Sequence, residues 1–307
     1  MAVSSTDLAR PGHGLPPAVP GAMHELSADG VRFVLYERAG DERDPVLLVH
    51  SVNAAASAYE VRPIFERLRE RKVYALDLPG FGRSERPKRR YTPALMTEAL
   101  RIATEHVSAR HGGAPIDALA VSLSCEFLAR AADEYGGYRT LGFVAATGLE
   151  GRNGPRGTTR AQPVVRSIVA CSWWSAGLFR GLTRPRVIRF FLRKTWGRRG
   201  IDEGLQAYCE QSTRVPGAKH APLSFLSGEL FSADASLLYE ALEVPVWSAY
   251  GVRGDFAHYG ASTHLESGPN WTMQRFDSGA LPHFEMPREF LTAYAQFLSA
   301  NAPSESS

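Results

Sequence analysis

Cysteine is scarce in this sequence of 307 residues. The three present, Cys125, Cys171 and Cys209, lie far apart with no C-x-x-C pair. That pattern excludes a disulfide framework and a thiolate zinc site, and it fits a reducing, cytoplasmic compartment. Long apolar runs are also missing. The best stretch, Ser167 to Leu182, is interrupted by Arg180 and is shorter than the roughly 20 apolar residues a bilayer span requires. The opening MAVSSTDLARPGHGLPPAVPG has no apolar segment behind a basic one, so no signal peptide is read there. Its Pro and Gly content marks residues 1–22 as a flexible N-terminal segment, with the ordered domain starting near Met23. DLPGFGRS opens no helix and lacks the lysine of a P-loop, so nucleotide binding is not expected.

The most informative absence is of acid. Between Glu150 and Asp202 there is no Asp or Glu, while residues 151–200 hold twelve Arg and Lys. The formal charge of +3 therefore conceals a +12 block set against −9 on the rest of the chain. Solvated helix faces usually mix signs to gain i,i+4 pairing, so an unbalanced block calls for a reason. No nucleic-acid motif accompanies it, and no nucleic-acid partner is expected. Aromatics are interleaved with the arginines, which points to an anionic small molecule or to weak contact with an anionic membrane surface.

What is present is an ordinary globular composition, 44% hydrophobic and 22% charged, enough for a large core. Strand and helix signals alternate at both ends of the chain. A hairpin-like opening, Met23 to Glu37, precedes a buried strand at Val46–Val49, a helix at Ala58–Arg71 and a strand at Val73–Leu76. Thr92 as N-cap with Pro93 starts a helix ending near His111. Strands at Ile116–Val121 and Leu141–Ala146 flank a helix at Ser124–Tyr135. The pattern resumes with strands at Val244–Tyr250 and Trp271–Phe276 and a helix from Pro287. The fold class is α/β, a mostly parallel central sheet with flanking helices. Residues 23–150 and 241–301 form its core, and 151–240 are an inserted helical cap. Ligands of such sheets bind at the carboxyl ends of the strands.

The chemistry-bearing candidates lie at those ends. Ala120-Val121-Ser122-Leu123-Ser124 is a small-x-Ser-x-small sequence at a strand-to-helix turn, where strand and helix approach too closely for larger neighbours. Ser122 is the candidate nucleophile. Taking Ser124 instead would put Glu126 at a position that must be small. A serine needs a base, and the base an orienting carboxylate. Asp255 follows the strand at Val244–Tyr250 and His283 follows the strand at Trp271–Phe276, giving the order Ser, Asp, His. Glu150 is the alternative acid. His258 and His264 near Asp255 lack ligand spacing, and no metal is expected.

These residues resemble the α/β-hydrolase superfamily with a cap, over about Met23 to Ser299. VLLVHSVNAA resembles the strand-and-oxyanion-loop segment, DLPGFGRSERP the loop after the next strand, and AVSLS the nucleophile elbow. The resemblance implies an oxyanion hole from the backbone N–H groups of Leu123 and Val52, a structural role for His50, and no cofactor. Departures are Ala120, Ser124 and Ser51 where glycines are common, and an acid one residue late in GVRGDF. The implied function is a serine hydrolase that cleaves a carboxylic ester or related acyl bond of a small-molecule substrate. Trp173, Trp174, Phe190, Phe191 and Trp196 would roof its acyl pocket. Acyltransferase, thioesterase, carbon–carbon hydrolase and cofactor-free haloperoxidase chemistry use the same residues, and a non-catalytic ligand-binding protein on this fold is the alternative of another class.

Overall fold

The computed structural model describes residues 14–39, 44–149, 154–161, 172–197, 200–253 and 268–302, the side chains of 172–174 excepted. Among these residues eight strands form one sheet. In spatial order they are β1 (Ala22–Ala28), β2 (Val31–Glu37), β4 (Val73–Asp77), β3 (Val46–Val49), β5 (Ile116–Val121), β6 (Tyr138–Val144), β7 (Val246–Gly251) and β8 (Trp271–Phe276). β1 pairs with β2 and β2 with β4 antiparallel; every later pairing is parallel.

Helices cover both faces. α1 (Arg62–Arg67) follows a 3₁₀ turn at Ala58–Val61; then come α2 (Pro93–Arg110) and α3 (Ser124–Tyr135). Between β6 and β7 lie α4 (Ser172–Leu182), α5 (Pro185–Thr195), α6 (Glu203–Ser212), α7 (His220–Leu226) and α8 (Ala235–Glu240), and after β8 come α9 (Pro282–Glu285) and α10 (Pro287–Ala300). Strand side chains alternate between faces. Leu47 and Val49 of β3 join the cluster under α2 and α3, while Val46 and Leu48 join the one under α1 and α10. Both faces are apolar, which is why β3, β4 and β5 read as continuous buried runs rather than alternating ones.

Several elements depart from the expected boundaries. The helix expected over Ala58–Arg71 is a 3₁₀ turn and a six-residue helix. The Arg38 guanidinium captures the Phe65, Leu68 and Arg71 carbonyls at 2.6–2.7 Å, drawing them away from a continuing helix. The N-terminal segment is packed from Leu15 onward: Leu15, Ala18 and Val19 are buried, and the Tyr208 hydroxyl donates to the Pro16 carbonyl at 2.8 Å. Residues 1–13 lie outside the described set. At the far end of the insertion α8 belongs with the core, since Tyr239 is buried with its ring 5.4 Å from Phe143.

Arg86, Arg90 and Arg130 each bond to the stretch between β6 and β7. Arg86 donates to the carbonyl and hydroxyl of Ser212, both at 3.0 Å. Arg90 pairs with Glu229. Arg130 pairs with buried Asp234 at 2.6 Å, whose other oxygen accepts the Gly157 N–H.

The carboxylate of Asp77, ending β4, is fully buried and organises the loops around it. It accepts the Tyr36 hydroxyl at 2.8 Å, the Ala58 N–H at 2.7 Å and the Arg83 N–H at 2.9 Å. Its own carbonyl accepts the Ser84 hydroxyl at 2.6 Å. Gly82 lies against this carboxylate with φ +49°, and a Cβ there would come within 2.0–2.2 Å of it. Gly82→Ala is therefore expected to lower the urea-unfolding free energy by more than about 2 kcal/mol, overlap adding to left-handed strain. Gly112→Ala, at φ +74° with nothing within 4 Å, supplies the comparison and carries only the strain. Equal losses for the two variants would show that contact with Asp77 does not matter.

Candidate active site

The β5–α3 turn holds Ser122 at φ +56°. For a residue with a Cβ this left-handed conformation costs roughly 1–2 kcal/mol, so it persists only where the surroundings impose it. Here the sheet imposes it: the Ser122 N–H donates to the Val144 carbonyl at 2.8 Å, continuing the β5–β6 ladder, while its carbonyl accepts the Cys125 N–H at 3.1 Å and opens α3. Ala120 and Ser124 on either side are fully buried. Ser124 stands where glycine is common because its hydroxyl has work there, donating to the His50 carbonyl at 2.6 Å. Cys125 is buried, and burial pushes its thiol well above the ordinary range, which leaves it inert beside Ser122.

The loop after β3 is built around Glu60. Its buried carboxylate accepts the Ser51 N–H at 2.8 Å and the Asn53 amide at 2.7 Å, and Asn53 in turn accepts the Ala55 N–H at 2.8 Å. His50 is structural. Its Nε2 accepts the Leu78 N–H at 3.0 Å, which fixes the proton on Nδ1, and that N–H donates to the Ser51 carbonyl. With the Ser51 N–H taken, the next amide is that of Val52. Neither it nor the Leu123 amide bonds to any described residue. Two unspent N–H groups at the carboxyl ends of neighbouring strands β3 and β5 are what an oxyanion hole requires.

His283 lies in α9, fully buried between Phe284 and Phe290, with ring centroids at 5.2 and 5.4 Å. Its Nε2 lies 2.8 Å from the Glu60 carbonyl, which can only accept, so Nε2 carries the proton. Nδ1 is buried and makes no hydrogen bond among the described residues. Among the described residues no hydrogen bond joins His283 to Ser122. The ring instead ties α9 to the residue around which the loop after β3 is built, and burial pushes its pKa down to about 4. Sequence order proposes this histidine as the base and could not foresee where its N–H points. Asp255, His258, His264 and Glu150 lie outside the described residues.

The expected pocket roof is also arranged differently. Trp196 is buried against Phe284 at 5.4 Å, packing the end of α5 onto α9. That junction is tight: the Ala280 N–H donates to the Thr195 carbonyl at 2.8 Å, and a Cβ on Gly279 would come 2.1 Å from the same oxygen. Phe190 and Phe191 are exposed on α5 rather than turned inward, because the inner face of this helix is supplied by Ile188, Leu192 and Trp196. The side chains of Trp173 and Trp174 lie outside the described set.

One buried acid near the Ser122 turn escaped the sequence reading. Glu126, one turn after Ser122, is buried; it accepts the Thr147 hydroxyl at 2.6 Å and the Ser232 N–H at 2.7 Å. Burial pushes its carboxyl up to about 7. Its signal was a single acid in the apolar run SCEFLARA, four residues after the nucleophile. No group of three potential metal ligands occurs among the described residues, and no described helix is long and apolar enough to cross a membrane.

No protein-family model and no curated protein matches the sequence. Solved structures do resemble the chain. A thermophilic esterase from Thermogutta terrifontis is 17% identical, covering 92% of this chain and 99% of its own with a TM-score of 0.69. An esterase from Exiguobacterium antarcticum is 14% identical, covering 91% and 100%, at 0.69. A serine hydrolase involved in carbazole degradation is 16% identical, covering 91% and 99%, at 0.69.

Two pH effects follow from the buried groups. His283 has its folded pKa, about 4, below the unfolded value near 6.5, so its contribution is complete above 6.5 and is lost as pH falls toward 4. His283→Gln, which keeps an N–H for Glu60, should remove up to ~1.4 kcal/mol per pH unit of acid sensitivity from the urea-unfolding profile in that window. An unchanged profile would mean that the ring is not held neutral. Glu126 behaves oppositely. Its folded pKa is raised from 4.5 to about 7, so the stability it contributes is complete below 4.5 and is lost as pH rises through 7. Glu126→Gln should therefore gain stability relative to the parent at pH 8, and a loss there would show that the carboxylate itself is needed.

Proposed function

The chain has the α/β-hydrolase fold, and on that premise we propose that it is a hydrolase cleaving a carboxylic ester or related acyl bond through an acyl-serine on Ser122. The observation that carries this reading is the Ser122 turn: a left-handed nucleophile candidate at the end of β5, next to the Leu123 amide and beside β3, whose following loop holds the Val52 amide, neither amide bonded to a described residue. The Ser122 oxygen attacks the acyl carbon, and the carbonyl oxygen becomes an oxyanion that accepts from the two amides. The alcohol leaves with a proton, and water then releases the acid and regenerates the serine. In this reading His283 and Asp255 are the base and its orienting acid. As the ring stands its one N–H is donated to the Glu60 carbonyl and only Nδ1 can accept a proton, so Asp255 can orient this base only after the ring gives up its Glu60 contact.

That same engagement favours a second reading, a ligand-binding protein that keeps the fold and the strained serine but turns nothing over. A fluorophosphonate probe and a series of p-nitrophenyl esters separate the two. For a hydrolase, the probe labels the parent and not Ser122→Ala, and that substitution lowers kcat by at least about 10³-fold with the fold intact. His283→Gln then loses turnover if the histidine is the base and retains it if the ring only holds the loop. A parent that neither labels nor turns over esters would overturn the hydrolase reading in favour of the binding one.

A further inference from the structure

The α4–α5 hairpin carries a surface that the chemistry at Ser122 does not use. Of the five exposed large hydrophobic side chains among the described residues, three lie here: Leu178 on α4, and Phe190 and Phe191 on α5, the two phenylalanines 54% and 48% exposed. Around them Arg180, Arg184, Arg186 and Arg193 are exposed and form no ion pair among the described residues. Arg189 pairs with Glu203 at 2.7 Å.

The two kinds of side chain are mixed on one face. Phe190 is four residues from both Arg186 and Lys194, so all three share a stripe of α5, and the Lys194 ammonium stands 5.3 Å over the Phe190 ring. An ordinary solvated face would not place a phenylalanine among its cations, and a core-facing one would not leave it half exposed. Apolar side chains on a cationic helical face are the composition that lies in a lipid headgroup layer, with the rings entering the acyl boundary and the guanidinium groups meeting lipid phosphates.

Other occupants fit less well. A second copy would bring the same positive face against itself with no acid to offset it. Nucleic acid would find phosphate contacts but no stacking platform, because Phe190 and Phe191 meet at 76° with centroids 5.4 Å apart and cannot both lie flat on successive bases. We infer that the α4–α5 hairpin docks this protein onto an anionic lipid bilayer surface through Phe190, Phe191 and Leu178 with the flanking arginines. The inference is independent of the reading of Ser122 and stands or falls without any turnover.

The test is co-sedimentation of the full chain with phosphatidylcholine vesicles and with vesicles containing phosphatidylglycerol. It is run at low ionic strength and at about 1 M salt, where the Debye length is ~3 Å. The expected result is binding to the anionic vesicles alone, lost in high salt. Phe190→Ser/Phe191→Ser should weaken it by at least about tenfold, and Arg186→Glu/Arg193→Glu by at least as much. Matching melting curves of the variants establish that the fold persists. Failure to bind anionic vesicles, equal binding to both vesicle types, or undiminished binding by both double variants would overturn the inference. So would dimerisation without lipid that the phenylalanine variant abolishes, or tighter binding to single-stranded DNA than to the anionic vesicles.

Discussion

The buried carboxylate of Asp77 is the constraint on which the functional edge of this molecule depends. Parallel strands end with loops whose N–H groups have left the ladder, and a buried N–H without an acceptor costs about as much as a lost hydrogen bond. Asp77 supplies that acceptor for two loops at once, taking Ala58 from the loop after β3 and Arg83 from the loop after β4, with Tyr36 of β2 as third donor. Gly82 is the corollary, because the loop can wrap the carboxylate so closely only where no side chain intervenes. The position of the loop after β3 relative to β5, and hence of Val52 relative to Ser122, rests on this anchoring.

Glu60 continues the same logic one layer out. Its carboxylate takes Ser51 and Asn53 while its backbone carbonyl takes His283, so one residue links the loop after β3 to the start of the last helical pair. With the Ser51 amide consumed, the next amide along the loop, that of Val52, bonds to no described residue. The strain at Ser122 is held by bonds on both sides, the sheet through Val144 and the helix through Cys125. Rigidity of this kind is the means by which donors are aimed before a ligand arrives.

Much of the fold was readable in the sequence because its signals are local. Thr92 and Pro93 start α2 as expected, with the Thr92 side chain accepting from Leu95, and β3, β5, α3 and β8 begin and end where the periodicity places them. The tight strand-to-helix turn at Ser122 was readable for the same reason, small residues flanking a serine between a strand and a helix. What escaped was set by contacts distant in sequence. Arg38 shortens the helix after Ala58, Tyr208 fastens the segment before Met23, and the Glu60 carbonyl, 223 residues from His283, determines which way that ring faces. Composition marked the basic block, but only the folded hairpin separates inward Ile188 and Trp196 from outward Phe190 and Phe191.

The three arginine ties to the stretch between β6 and β7 bear on how the molecule comes apart. A lid that swings freely is held by few contacts and exchanges its amide hydrogens well before the body beneath it. Here Arg86, Arg90 and Arg130 each spend a charge on a partner in that stretch, and Asp234 is wholly buried in doing so. Releasing the segment from Ser212 to Asp234 would strand that carboxylate and at least two guanidinium groups together, so the ties are lost as a set rather than in turn. Opening the stretch from Ser212 to Asp234 therefore carries the cost of unpairing a buried carboxylate.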